Sequence, residues 1–214
     1  TLGAAGDQSS RHFRAGQSFS EARRVGEAIA GEAERVLAAA HELAEPRLFA
    51  ESYEFMPPVF EQPALGEAEA GAERAERALA ESESEGRPYA ERRSLECALF
   101  GARHRLDIAK AGPSAARIMA AALPFEIQIM GFGGCRMVFY SCEVFAEYGL
   151  RLKRESPCPL TFLSTCANGA ACGYICTPES HAEGGYEAAW TSYRPETGGL
   201  MVDFTLERLK ENML

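Results

Sequence analysis

The chain has little positive charge: 22 Lys and Arg stand against 31 Asp and Glu, giving a formal net charge of −9 over 214 residues. Proteins with a general affinity for nucleic acid or anionic lipid concentrate basic residues to neutralise phosphates. No nucleic-acid partner is therefore expected, although a local basic patch stays open. No uninterrupted apolar run approaches the roughly 18 to 20 residues that cross a bilayer, so no transmembrane segment and a soluble stretch of protein are expected. The paired C-x-x-C knuckle of structural zinc sites is absent. So is the dense, regular cysteine spacing of a disulfide scaffold: the cysteines number seven, start at Cys97, and crowd between Cys142 and Cys176. An odd, irregular set points to reduced, partly buried thiols in a reducing, cytoplasm-like compartment. A metal site from Cys166, Cys172 and Cys176 is the sharper alternative. No secretory leader opens the chain, which begins on Thr1 and not on Met, so any targeting segment is expected upstream.

What is present supports a packed domain. Hydrophobic residues make up 46% and charged residues 25% of the sequence, enough to bury a core as one domain or a large part of one. Ser18 or Ser20 is placed to cap a helix with apolar positions at Val25, Ile29, Val36 and Leu37, running to about Glu45 and stopped by Pro46. Residues 48–59 mix aromatic residues with Met56-Pro57-Pro58 and read as a short edge strand and turn. Residues 66–111 are rich in Ala, Glu, Arg and Leu and break at Gly86-Arg87-Pro88, which describes a helical hairpin. Its charged faces are expected simply to meet water, as a structural insertion.

Beyond Pro113 the pattern changes. Leu123 to Met130 alternates apolar and polar residues, residues 131–134 turn, and Arg136 to Tyr140 makes a second strand. Glu143 follows, then a helix over Val144 to Arg154, then an apolar strand from Thr161. This order sets Glu143 at a strand-to-helix junction, where a side chain can enter a cleft. Tyr174 and Tyr186 follow that strand on glycine-bearing loops, where enzymes commonly carry reactive groups. A final amphipathic helix spans Gly199 to Leu214, with Val202, Leu206 and Leu209 on one face. The fold class is thus mixed α/β (α+β): a mixed sheet packed by helices, with the hairpin inserted at its surface.

Taken singly, the polar positions have plain readings. Glu143 can be an acid at a helix N-terminus, Tyr174 and Tyr186 packing residues with satisfied hydroxyls, and Asp7 a cap of its own turn. Their order along the chain says more. Gly6-Asp7-Gln8-Ser9-Ser10, then Ser141-Cys142-Glu143, then Asn168 to Thr177 with Tyr174 near its end, then Tyr186-Glu187, resembles the catalytic domain of the neutral/alkaline ceramidase family. Ser9 falls at that family's catalytic serine in Gly-Asp-x-Ser-Pro. Glu143 falls at the zinc-binding glutamate of Pro-Gly-Glu, and Tyr174 at the zinc-binding tyrosine of Asn-x-Tyr-x-x-Tyr-Ile/Val-x-Thr. Tyr186 matches the tyrosine that contacts the scissile amide.

The resemblance implies a zinc-dependent amidohydrolase acting on ceramide or a related amide. Its metal ligands would be Glu143 and Tyr174, its catalytic residues Ser9 and Tyr186, and its substrate contacts Tyr186 and Asn168. It also implies that residues 1–214 are the carboxyl-terminal part of a longer domain. Two zinc-binding histidines are then expected upstream of Thr1, since none of His12, His41, His104 and His181 sits where they belong, though His12 lies close to Ser9. The chain alone is accordingly expected to bind zinc poorly and to be inactive. Ser10, Ser141-Cys142 and Ala170 depart from the family pattern and alter the pocket wall, so the substrate is less constrained than the reaction class. A hydrolase of another small amide or ester, and a degenerate domain kept for binding or assembly, are the rival readings.

Overall fold

The alternation in Phe125-Glu126-Ile127-Gln128-Ile129-Met130 sorts the strand into two faces, and the computed structural model buries one of them: Phe125, Ile127 and Ile129 are sequestered while Glu126 and Met130 are exposed. The structure describes residues 2–9, 14–42, 47–169 and 173–211. Strand β1 (Leu48–Phe55) forms the edge of a four-stranded sheet with β2 (Phe125–Phe132), β3 (Cys135–Phe139) and β5 (Leu160–Ser164), in the order β1-β2-β3-β5. The first two pairings are antiparallel and β3 with β5 is parallel. A parallel neighbour demands a crossover, which helix α5 (Ala146–Glu155) supplies after the two-residue strand β4 (Glu143–Val144).

Phe55 faces Phe125, Ile129 faces Val138, and Val138 faces Leu163, so one sheet face is continuous hydrocarbon. Leu152 of α5 joins this core, with Met201, Val202, Leu206 and Leu209 of the carboxyl-terminal helix (Thr197–Glu211). Each such side chain stabilises the fold by about 1.5–3 kcal/mol relative to exposure. Tyr140 adds a polar tie, its hydroxyl sharing a 2.7 Å hydrogen bond with Thr205.

Among the described residues, four helices precede the sheet's second strand. Helix α1 (Phe19–Leu37) starts as its sequence requires, with Ser18 accepting from the Glu21 amide at 3.2 Å. It ends before Glu45; its residues bury nothing, so no packing extends it, and Pro46, the expected stop, lies outside the described residues. Helices α2 (Leu65–Ser84) and α3 (Tyr89–Ala111) form the expected hairpin. Small residues, Ala68 and Ala72 against Ala102 and Cys97, are buried in it, and Arg103 reaches Glu76 at 2.9 Å.

Helix α4 (Pro113–Ala121) fills the stretch before β2 on which the sequence reading makes no assignment; proline at its first position needs no amide partner there. The β2–β3 turn is also tighter than its glycines suggest. Gly131 stays in the strand because a Cβ there would lie 1.9 Å from the Phe49 ring, leaving Gly133-Gly134 to turn, with Gly133 at φ 55°. After β5 come β6 (Tyr174–Ile175), α6 (Pro178–Glu183), α7 (Tyr186–Trp190) and the carboxyl-terminal helix, α8. No helix among the described residues is long and apolar enough to cross a membrane.

Candidate active site

The expected junction at Glu143 is a strand and not the first turn of the helix. Residues 143 and 144 pair in parallel with 174 and 175, Glu143 directly opposite Tyr174. The Glu143 amide donates to the Gly173 carbonyl at 3.0 Å and the Phe145 amide to Ile175 at 3.2 Å. Because side chains of directly opposed residues leave the sheet on one side, the Tyr174 phenol and the Glu143 carboxylate face the same side of the pair. Burial, and then the negative charge of Glu143, push the Tyr174 phenol up to about 12. The phenol therefore keeps its proton near neutral pH.

The amino-terminal loop closes on the same place. The Gly6 amide donates to the Val144 carbonyl at 2.9 Å, and the Asp7 carboxylate accepts from the Ala146 amide at 2.8 Å. Asp7 therefore caps α5, whose own N-cap, Phe145, has no side chain able to do so. The expectation that Asp7 caps its own turn gives way to this longer-range role. A side chain at position 6 would have its Cβ 2.8 Å from the Glu143 carbonyl oxygen, so only glycine lets the loop lie this close. Ser9 stands three residues beyond Gly6, at an exposed position. His12 and Ser10 lie outside the described residues, as do Ala170 and Cys172.

Tyr186 comes from the other side. It begins α7 after Gly184-Gly185, at φ 80° and 113°, a conformation that suits glycine. Its ring meets Tyr174 edge-on with centroids 6.1 Å apart, then Trp190 at 6.0 Å, and Trp190 stacks on His104 at 4.2 Å. Glu187 adds negative charge near Tyr174. Asn168 sits at φ 60°, and its buried Nδ2 has no hydrogen-bond partner among the described residues.

Glu143, Tyr174 and Tyr186 thus meet, and the Gly6-Asp7 loop packs on the backbone that carries Glu143. The ring contacts of Trp190 and His104, and the role of Glu187, escaped the sequence reading. The Gly-Gly before Tyr186 signals a helix start, but no local pattern announces a contact between α3 and α7.

The two oxygens are a donor type that zinc accepts, yet they are two of the four ligands such a site takes. Among the described residues no three of His, Cys, Asp and Glu converge. The described cysteines are free thiols, all buried except Cys166. Burial, then Glu187 and Asp7, push the Cys176 thiol up to about 12, so it is not a nucleophile near neutral pH.

No protein-family model and no curated protein matches the chain. Among solved structures, a ceramidase complexed with C2 is similar at 21% identity and a TM-score of 0.36, covering 39% of this chain and 14% of the other. The neutral ceramidase from Pseudomonas aeruginosa is similar at 24% identity and a TM-score of 0.35, covering 40% of this chain and 15% of that one. The likeness therefore extends over a small part of either enzyme.

Proposed function

We propose that this chain forms one wall of a ceramidase-like, zinc-dependent amidohydrolase site that cleaves the N-acyl amide of ceramide or a related lipid or small-molecule amide. The observation that carries the proposal is the direct pairing of Glu143 with Tyr174, with Tyr186 against Tyr174. Glu143 and Tyr174 are the residues that would hold the metal. A bound zinc ion would supply polarisation of the acyl carbonyl and acidification of water towards a pKa of about 7.

The chain's own groups do the rest. A cation held here would offset the negative charge of Glu143 that now opposes the Tyr174 phenolate. Tyr186, partly exposed, directs its phenol at the amide and stabilises the oxygen on which charge develops. Asn168 offers its unpartnered Nδ2–H to the substrate, and Ser9 lines the loop beside Glu143. Imidazole ligands from outside the described residues would complete the set that holds the metal.

Zinc titration by equilibrium dialysis tests the assignment. The 214-residue chain is expected to hold zinc loosely and to turn over no amide; tight one-to-one zinc with turnover would overturn the division of ligands. In a protein that also supplies the remaining ligands, Glu143→Gln and Tyr174→Phe should each weaken zinc at least about tenfold, on the scale of removing a ligand or its support. A domain retained for assembly alone is favoured by the incomplete donor set among the described residues, and it predicts no zinc in either form.

A further inference from the structure

We propose that helix α3 is the strut that holds Tyr186 against Tyr174, with Gly101 and His104 as the positioning residues. Calling Tyr186 substrate-facing rests on the amidohydrolase reading; the mechanical claim does not. Helix α7 has five residues and none of them is fully buried. A helix so short does not hold itself together in water, and the Gly184-Gly185 hinge before it imposes little direction. Something else must fix where Tyr186 stands.

Two contacts from α3 do so. Gly101 abuts Ala189 so closely that a Cβ would come within 2.4 Å of the alanine's own Cβ and 2.9 Å of its carbonyl oxygen. One turn on, the His104 ring stacks on Trp190 at 4.2 Å and 27°. The buried Trp190 Nε1 has no hydrogen-bond partner among the described residues, so stacking and not a polar bond orients the indole. Trp190 then packs on Tyr186, and Tyr186 on Tyr174. The far end of the segment is tied separately, by Thr191 Oγ1 donating to the Tyr174 carbonyl at 2.6 Å. The hairpin expected to be an inert insertion thus braces the candidate site.

Trp190 is the sole tryptophan, which gives a clean probe. Acrylamide quenching of its fluorescence and NMR cross-relaxation between the Tyr174 and Tyr186 rings are compared in wild type, His104→Ala, His104→Phe and Gly101→Val. Cross-relaxation between Phe125 and Tyr193, 5.1 Å apart in the core, reports folding. His104→Ala should abolish the Tyr174–Tyr186 cross-peak and raise quenching, and His104→Phe should restore both. Gly101→Val should abolish the cross-peak with the core signal intact; if that variant unfolds, the histidine pair decides. A Tyr174–Tyr186 cross-peak that survives His104→Ala overturns the proposal, as does a failure of phenylalanine to restore it. Should the cross-peaks behave as expected while Tyr186→Phe leaves amide hydrolysis, measured with the remaining metal ligands supplied, unchanged, the strut stands and the catalytic role of Tyr186 falls.

Discussion

Gly6 is placed where no side chain fits: the Glu143 carbonyl oxygen, its carbon and the Val144 carbonyl carbon lie 2.8, 3.0 and 3.2 Å from an added Cβ. Backbone atoms cannot turn aside as a flexible side chain can. Gly6→Ala should therefore destabilise the protein by about 1–3 kcal/mol in urea denaturation, the range for forced overpacking, and push the loop off Glu143. Asp7 acts at the same point by charge and hydrogen bonding. Asp7→Ala should cost about 1 kcal/mol, the usual value of a lost helix cap, and Asp7→Asn less, because the amide oxygen still accepts from Ala146. If alanine and asparagine cost the same, the cap is not what Asp7 contributes.

At the level of elements, the site depends on strands of two residues. Tyr148 supports one of them: its hydroxyl donates to the Cys176 carbonyl at 3.2 Å, just past Tyr174 and Ile175. Gly198 of α8 lies under that ring, where a Cβ would sit 2.2 Å from Cζ. Gly198→Ala should move Tyr148 and loosen β6, lowering the urea midpoint by an amount equivalent to about 1–3 kcal/mol. An unchanged midpoint would show that the ring yields freely.

Long, periodic elements are also the ones a reader of the sequence could see. The Phe125–Ile129 alternation, the Ala-rich hairpin and the Val202–Leu206–Leu209 face each repeat often enough to declare a period. Val144 instead carries helical spacing in the sequence, because a two-residue strand has no period and its partner, Ile175, is remote in the chain. The same limit governs the site. Glu143, Tyr174 and Tyr186 were each visible in a motif, but the adjacency of Glu143 and Tyr174 is a fact of parallel pairing. The stack of His104 on Trp190 follows from helix packing that no local spacing encodes.

At the scale of the molecule, buried phenols and thiols shape the response to alkali. Burial lifts Tyr148 from 10.0 to about 12 and Cys176 from 9.0 to about 12; it also raises the Tyr140 phenol, despite its bond to Thr205. These groups release protons more readily when unfolded, so the unfolded state binds fewer protons as pH rises. Their contribution is intact below about pH 9 and is lost as pH climbs through about 12. Thermal melting should accordingly fall steadily over that window, and a flat melting temperature from pH 9 to 11 would contradict the burial of these groups.

The molecule is arranged so that the sheet, through β3, α5 and β5, fixes Glu143, while the segment after β5 delivers Tyr174 and Tyr186 to it. On the proposed function, zinc-dependent release of fatty acid from an N-acyl amide, wild type against Glu143→Gln with the remaining metal ligands supplied, measures whether that meeting point is where the chemistry occurs. Activity should fall at least about 100-fold, since the carboxamide binds a metal far more weakly than the carboxylate it replaces. Hydrolysis at the wild-type rate would remove Glu143 from the metal and this wall from the active site.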